Sequence, residues 1–142
     1  MSNNSVKNNP SSSNILVINS NRRQGGTYNN FYINLPFKSI FNSITLSYLY
    51  MTVPAGTNNI EITVNELEQP TQIAGAYPVN STFTIPVPTG DTAITWSSSG
   101  DFKQIITYNP PRSFGVFTIT VNDDNDNPVA LTDDWTMVLS WV

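Results

Sequence analysis

At 142 residues the chain can bury one sizeable core. Charged residues make up only 11 %, against a usual share of about 25 %, and the net charge of −4 (6 basic against 10 acidic residues) denies the chain the basic footprint of a nucleic-acid binder. It has no cysteine and no histidine, which excludes disulfides, thiolate or imidazole metal sites and histidine-based triads within the chain.

Residues 1–13, MSNNSVKNNPSSS, are polar and low in complexity, and read as a flexible N-terminal arm; residues 14–142 read as one domain. No signal-peptide core follows Met1, and no apolar run approaches the ~20 residues of a membrane span. Asn14–Asn19 (NILVIN) reads as a buried strand, and Asn21–Thr27 as a turn around Gly25-Gly26. Asn30–Leu35 alternates Phe31, Ile33 and Leu35 with polar residues, the period of a strand, until Pro36. Ser43–Val53 is the longest strand expected, with Ile44, Leu46, Tyr48, Tyr50 and Thr52 on one face and Leu49, Met51 and Val53 on the other, a pattern that allows its second half to be buried on both sides. Asn59–Asn65 alternates Ile60, Ile62 and Val64, and Glu66–Pro78 reads as a long loop. Ser81–Val87, Ala93–Ser97 and Phe102–Tyr108 follow as strands, and Pro110-Pro111 interrupts. Gly115–Asn122, the turn cluster Asp123–Pro128 and a last strand, Trp135–Val142, complete the pattern.

Nine short segments with turn punctuation and no helical period predict an all-β protein, an antiparallel sandwich or barrel. A single jelly-roll β-sandwich of about eight strands suits the ordered length, with an immunoglobulin-like sandwich as its nearest competitor.

Chemistry-bearing residues are sparse. Asp123, Asp124 and Asp126, continuing to Asp133 and Asp134, form an acidic loop whose alternating Asn125 and Asn127 brush the pattern of a calcium loop. Pro128 stands where that loop needs glycine, and the same residues make an ordinary hairpin turn. Glu61, Glu66, Glu68, Asp91 and Asp101 are scattered, and nothing in the spacing sets two across a cleft as a glycosidase pair. Tyr77, Trp96, Tyr108, Trp135 and Trp141 are either core residues or a sugar-stacking platform. Arg22 and Arg23 beside Gly25-Gly26 read as a solvated turn, as a phosphate grip or as an anchor on an acidic partner. No catalytic residue and no cofactor is expected.

Residues 14–23, NILVINSNRR, followed by Gly26-Thr27-Tyr28-Asn29-Asn30-Phe31 and Ile33-Asn34-Leu35-Pro36, resemble the opening of small jelly-roll capsid proteins of large double-stranded DNA viruses and their relatives. Ser43–Pro54 is similar to the next strand of that family, ending Met51-Thr52-Val53-Pro54. Phe117–Val121, the Asp/Asn loop and Trp135, Met137 and Leu139 are similar to its close. The resemblance implies a non-enzymatic penton (vertex) or minor capsid protein of the virion, a homo-oligomer with five-fold rings as the first expectation, touching other capsid proteins through its flanks, its arm and Arg22 and Arg23. The alternative expectation is a carbohydrate- or receptor-binding β-sandwich, a lectin-like module or fibre head.

Overall fold

The computed structural model describes residues 14–35, 40–74, 79–98 and 103–142. The expected arm, together with Pro36, Tyr77 and Asp101, lies outside the described residues. The described strands are β1 (Asn14–Asn19), β2 (Gly25–Thr27), β3 (Asn30–Asn34), β4 (Ile40–Thr52), β5 (Asn59–Val64), β6 (Thr71–Ile73), β7 (Val79–Ser81), β8 (Phe83–Pro86), β9 (Ala93–Ser97), β10 (Ile105–Ser113), β11 (Val116–Asn122) and β12 (Thr136–Trp141). Ser20–Arg22 forms a single 3-10 turn, capped by Asn19, whose side chain accepts from the Asn21 amide.

All strand pairings among the described residues are antiparallel. The first sheet runs β1-β12-β4-β10, and β9 joins β4 along its C-terminal part. The second runs β2-β3-β11-β5-β8, and β6 and β7 form a separate small ribbon. One apolar cluster takes side chains from both sheets: Leu16, Ile18, Leu46, Met51 and Leu139 from the first, Phe31, Ile62, Phe83, Phe117 and Ile119 from the second. Two antiparallel sheets closed over a shared core make a β-sandwich. β11 shows why these residues form strands: Phe117, Ile119 and Val121 are fully buried, while Val116, Thr118, Thr120 and Asn122 between them are half-buried on the opposite face.

Four details depart from the sequence expectation. Gly25–Thr27 pairs with β3 as a strand, because Gly26 takes a φ of 100° and lies where any side chain would strike the Asn30 carbonyl. Part of the expected loop Glu66–Pro78 supplies β6. β10 continues through Pro110 and Pro111 to Ser113, an arrangement a strand tolerates where no ladder amide is needed. In β4 the register shifts so that Val138 faces Tyr48 while Leu139 faces Leu46. The extra residue, Ser47, is a bulge that switches which parity points inward. Ile44 and Leu46 are buried before it and Leu49 and Met51 after it, so Tyr48 and Tyr50 turn outward instead of lining the core.

Side chains finish the work of the ladders at two places. The Gln104 amide lies along the open edge of β8, accepting from the Thr84 amide at 2.8 Å and donating to the Thr84 carbonyl at 2.8 Å. Glu66 accepts from the Thr118 amide at 2.6 Å and hydroxyl at 2.9 Å just past the end of β5. Leu46→Asp or Ile119→Asp is expected to abolish the cooperative thermal transition seen by circular dichroism, since each buries an unpaired charge at a cost of roughly 4 kcal/mol or more. Gln104→Ala is expected to lower stability by about 1–2 kcal/mol in urea titration, because two backbone groups lose their partners.

Candidate assembly surface and acidic end

The outward faces of the two sheets differ. On the second sheet the outward positions are mostly amides and hydroxyls: Asn30, Tyr32 and Asn34 on β3, Thr118 and Thr120 on β11, Thr63 and Thr84 on β5 and β8. On the first sheet the register places Ile15, Ser140, Thr45 and Ile105 in one row across four strands. The next row holds Val17, Val138, Tyr48 and Ser97, and the one after it Asn19, Thr136, Tyr50 and Thr95. Ile15 is 68 % exposed, Val17 58 % and Ile105 50 %. Of the seven large hydrophobic side chains exposed among the described residues, five (Ile15, Val17, Ile40, Tyr50, Ile105) stand on strands of this sheet. Val142 follows β12 and is bonded to Ser43 of β4; Tyr32 alone belongs to the other sheet. Single exposed hydrophobics are ordinary, but a set gathered on one face marks a contact surface.

Arg22 and Arg23, paired in sequence, part company in the fold. Arg23 Nη1 donates to the Ser20 carbonyl at 2.8 Å and its Nε to the Gly26 carbonyl at 3.2 Å, with Asp134 at 3.9 Å and the Tyr28 ring 4.8 Å away. Arg23 is therefore a brace for its own turn. The Arg22 side chain has no hydrogen bond or ion pair among the described residues. It borders a groove of about 380 Å³ between the β1 and β3 edges, together with Leu16, Ile18, Ile33 and Leu35.

Of the two readings of the aromatic residues, core packing holds for those that are described. Trp135 and Tyr108 are buried, and Trp96 and Trp141 are half-buried against the core; Tyr77 lies outside the described residues. Trp135 packs edge-on against Phe31 at 5.8 Å and donates its indole N–H to the Tyr28 carbonyl at 2.8 Å.

The loops after β1, β4, β8 and β11 gather at one end of the sandwich, and Asp91, Asp123, Asp124, Asp126, Asp133 and Asp134 all lie in them. The loop after β11 is a self-satisfied turn. Asp123 Oδ1 accepts from the amides of Asn125 at 2.9 Å and Asn127 at 3.0 Å, and Asp126, at φ 60°, accepts from Asn122 Nδ2 at 3.1 Å. Asp124 reaches only Asn58 Nδ2, at 3.5 Å. Among the described residues no three acidic side chains are placed to hold a metal ion.

One acid escaped the sequence reading. Glu61, which the sequence shows only as one of several scattered acids, is just 2 % exposed, and its Oε2 has no hydrogen-bond partner among the described residues. Period-2 patterning assigns a face but cannot show that the acidic loop folds back over that face. No family model and no curated protein sequence matches this chain. Among the described residues no helix is long and apolar enough to cross a membrane. Arg23→Ala is expected to cost about 1–2 kcal/mol in chemical denaturation, and Arg22→Ala no more than about 0.5 kcal/mol, because only the former strips carbonyls of a donor.

Proposed function

We propose that this chain is a structural protein of a virion, a penton or minor capsid protein built on a single jelly roll, which acts by packing against copies of itself and other capsid proteins. The observation that carries the reading is the outward face of the β1-β12-β4-β9/β10 sheet, where Ile15, Val17, Tyr50 and Ile105 stand exposed together. Burying such side chains against a neighbour stabilises a contact by about 25 cal/mol for each Å² of apolar area removed from water.

The strand order supports the jelly-roll part of the proposal. β1, β12, β4, β9 and β10 form one layer and β3, β11, β5 and β8 the other, so that along these strands every link except β5 to β8 and β9 to β10 crosses between layers. The resemblance of residues 14–36, 43–54 and 117–139 to small capsid jelly rolls supplies the virion context. The shortage of charge favours the same reading: flanks of Asn, Ser and Thr lose less on desolvation than unpaired Lys and Glu. Head-to-tail contacts between such flanks close into a ring when the rotation per subunit allows it, and a five-fold ring is the form proposed here. Residues 1–13, polar throughout except Met1 and Val6, serve as a tether to neighbouring subunits, and Arg22 as the polar contact to an acidic one.

Mass photometry of the purified protein is expected to show a ring-sized oligomer, or binding to capsid particles. The pair of changes Val17→Lys and Ile105→Lys is expected to leave the melting temperature within a few degrees of wild type. It should weaken association at least about tenfold, or 1.4 kcal/mol. A wild-type protein that stays monomeric at every concentration, and ignores capsid particles, would sink the proposal.

A further inference from the structure

The acidic end contains a carboxyl group that no described contact explains. Glu61 is the third residue of β5, opposite Asn122 of β11 on one side and Thr84 of β8 on the other. Ile60, Ile62 and Val64 take the core side of β5, which sends the Glu61 side chain to the sheet's outer face. Asn122 points to the same face, since Val121 and Ile119 are the buried members of β11. The Asn122 amide is spent on Asp126, so it fixes the returning acidic loop beside Glu61 without serving the glutamate itself. The Thr84 hydroxyl is likewise engaged, with Ser81 at 2.9 Å.

The groups that act electrically on Glu61 are all of one sign. Asp126, Asp124 and Asp123 face it from the loop, while β8 and β11 present only the uncharged Thr84 and Asn122. The two ion pairs among the described residues, Arg23 with Asp134 and Arg112 with Glu68, are made elsewhere. A buried carboxylate with an unpartnered oxygen and three like charges nearby is costly; the same group protonated is not.

We propose that Glu61 is a proton latch for the acidic loop: uncharged, it lets Asp123–Asn127 lie against the outer face of the second sheet, and on ionisation it drives that loop off. The latch is a property of the single chain and goes beyond the assembly role. Burial is the largest cause, followed by Asp126, Asp124 and Asp123, and together they raise the Glu61 pKa from 4.5 to about 7. With the folded value above the unfolded one, the unfolded chain gives up its proton first as pH rises. The contribution to stability is therefore complete below about pH 4.5, falls between there and about pH 7, and is absent above.

Thermal melts of the isolated full chain at a series of pH values test this. Wild type is expected to lose on the order of 5–10 °C between about pH 5 and pH 8 through this group. Glu61→Gln, which keeps the shape of the protonated acid, is expected to match wild type at the acid end of the series and to melt higher at the alkaline end. Asp126→Asn, which removes the like charge that acts most strongly on Glu61, is expected to make the wild-type fall smaller and to end it at lower pH, and serves if Glu61→Gln does not fold. Hydrogen exchange, corrected for its intrinsic pH dependence, should rise with pH in residues 122–128 of wild type and not of Glu61→Gln. A Glu61→Gln protein whose melting falls as steeply as wild type overturns the latch. So does millimolar calcium chloride restoring wild type, and not Glu61→Gln, at pH 8, because a bound cation would then be the neutralising group. None of these readouts depends on oligomer formation, so failure of the latch and failure of the capsid reading are separable.

Discussion

The sandwich depends on a dry seam of apolar side chains between its sheets, in which a buried polar group has to find a partner. Trp135 shows how strictly this is met. Its ring fills the space beside Phe31, its indole N–H reaches the Tyr28 carbonyl, and its backbone amide is taken by the buried Ser20 hydroxyl at 2.9 Å. Ser20 Oγ in turn donates to Asp134 at 3.0 Å, and the Ser20 amide donates to the Trp135 carbonyl at 3.0 Å. Two small segments far apart in sequence are thus tied into one node, and the turn holding Arg22 and Arg23 hangs from it. Loss of any partner would leave a buried donor or acceptor unmatched, which costs more than the bond itself contributes.

Much of this was legible in the chain. Alternation located the principal strands, and the core-facing Phe31 of β3 and Ile60, Ile62 and Val64 of β5 are residues that period-2 patterning picks out. The pattern failed where parity changes within a strand. Ser47 carries no local mark of a bulge, so Tyr48 and Tyr50 were assigned to the face they abandon. The same limit hid the candidate surface, because Ile15 and Val17 in an unbroken apolar run cannot be told from buried neighbours until β1 is seen to pair with β12 alone. Glu61 was invisible for a related reason. It stands at an outward position of β5, and its burial there, like the charges of the loop some sixty positions on, is contained in no local window.

Charge and hydrophobicity are separated in space. The apolar face belongs to the β1-β12-β4 layer, whereas the aspartates gather in loops at one end. A surface arranged this way has a direction: contacts along the sheet face draw on apolar burial and are insensitive to salt, while contacts through the acidic end are screened over a Debye length of roughly 8 Å at physiological ionic strength. In the proposed assembly, association through the face and repulsion between like ends would act together to orient neighbouring molecules side by side in the same sense.

The Gln104 clamp on β8 bears on what such a molecule does at high local concentration. An exposed strand rim is a template on which other polypeptides can crystallise into fibrils, and a side-chain amide filling the Thr84 position of the ladder removes that template without adding a charge. A charge-poor protein has few other deterrents, so one glutamine stands in for the lysines that commonly guard sheet rims. At the rim of β8 it closes the ladder with an uncharged group.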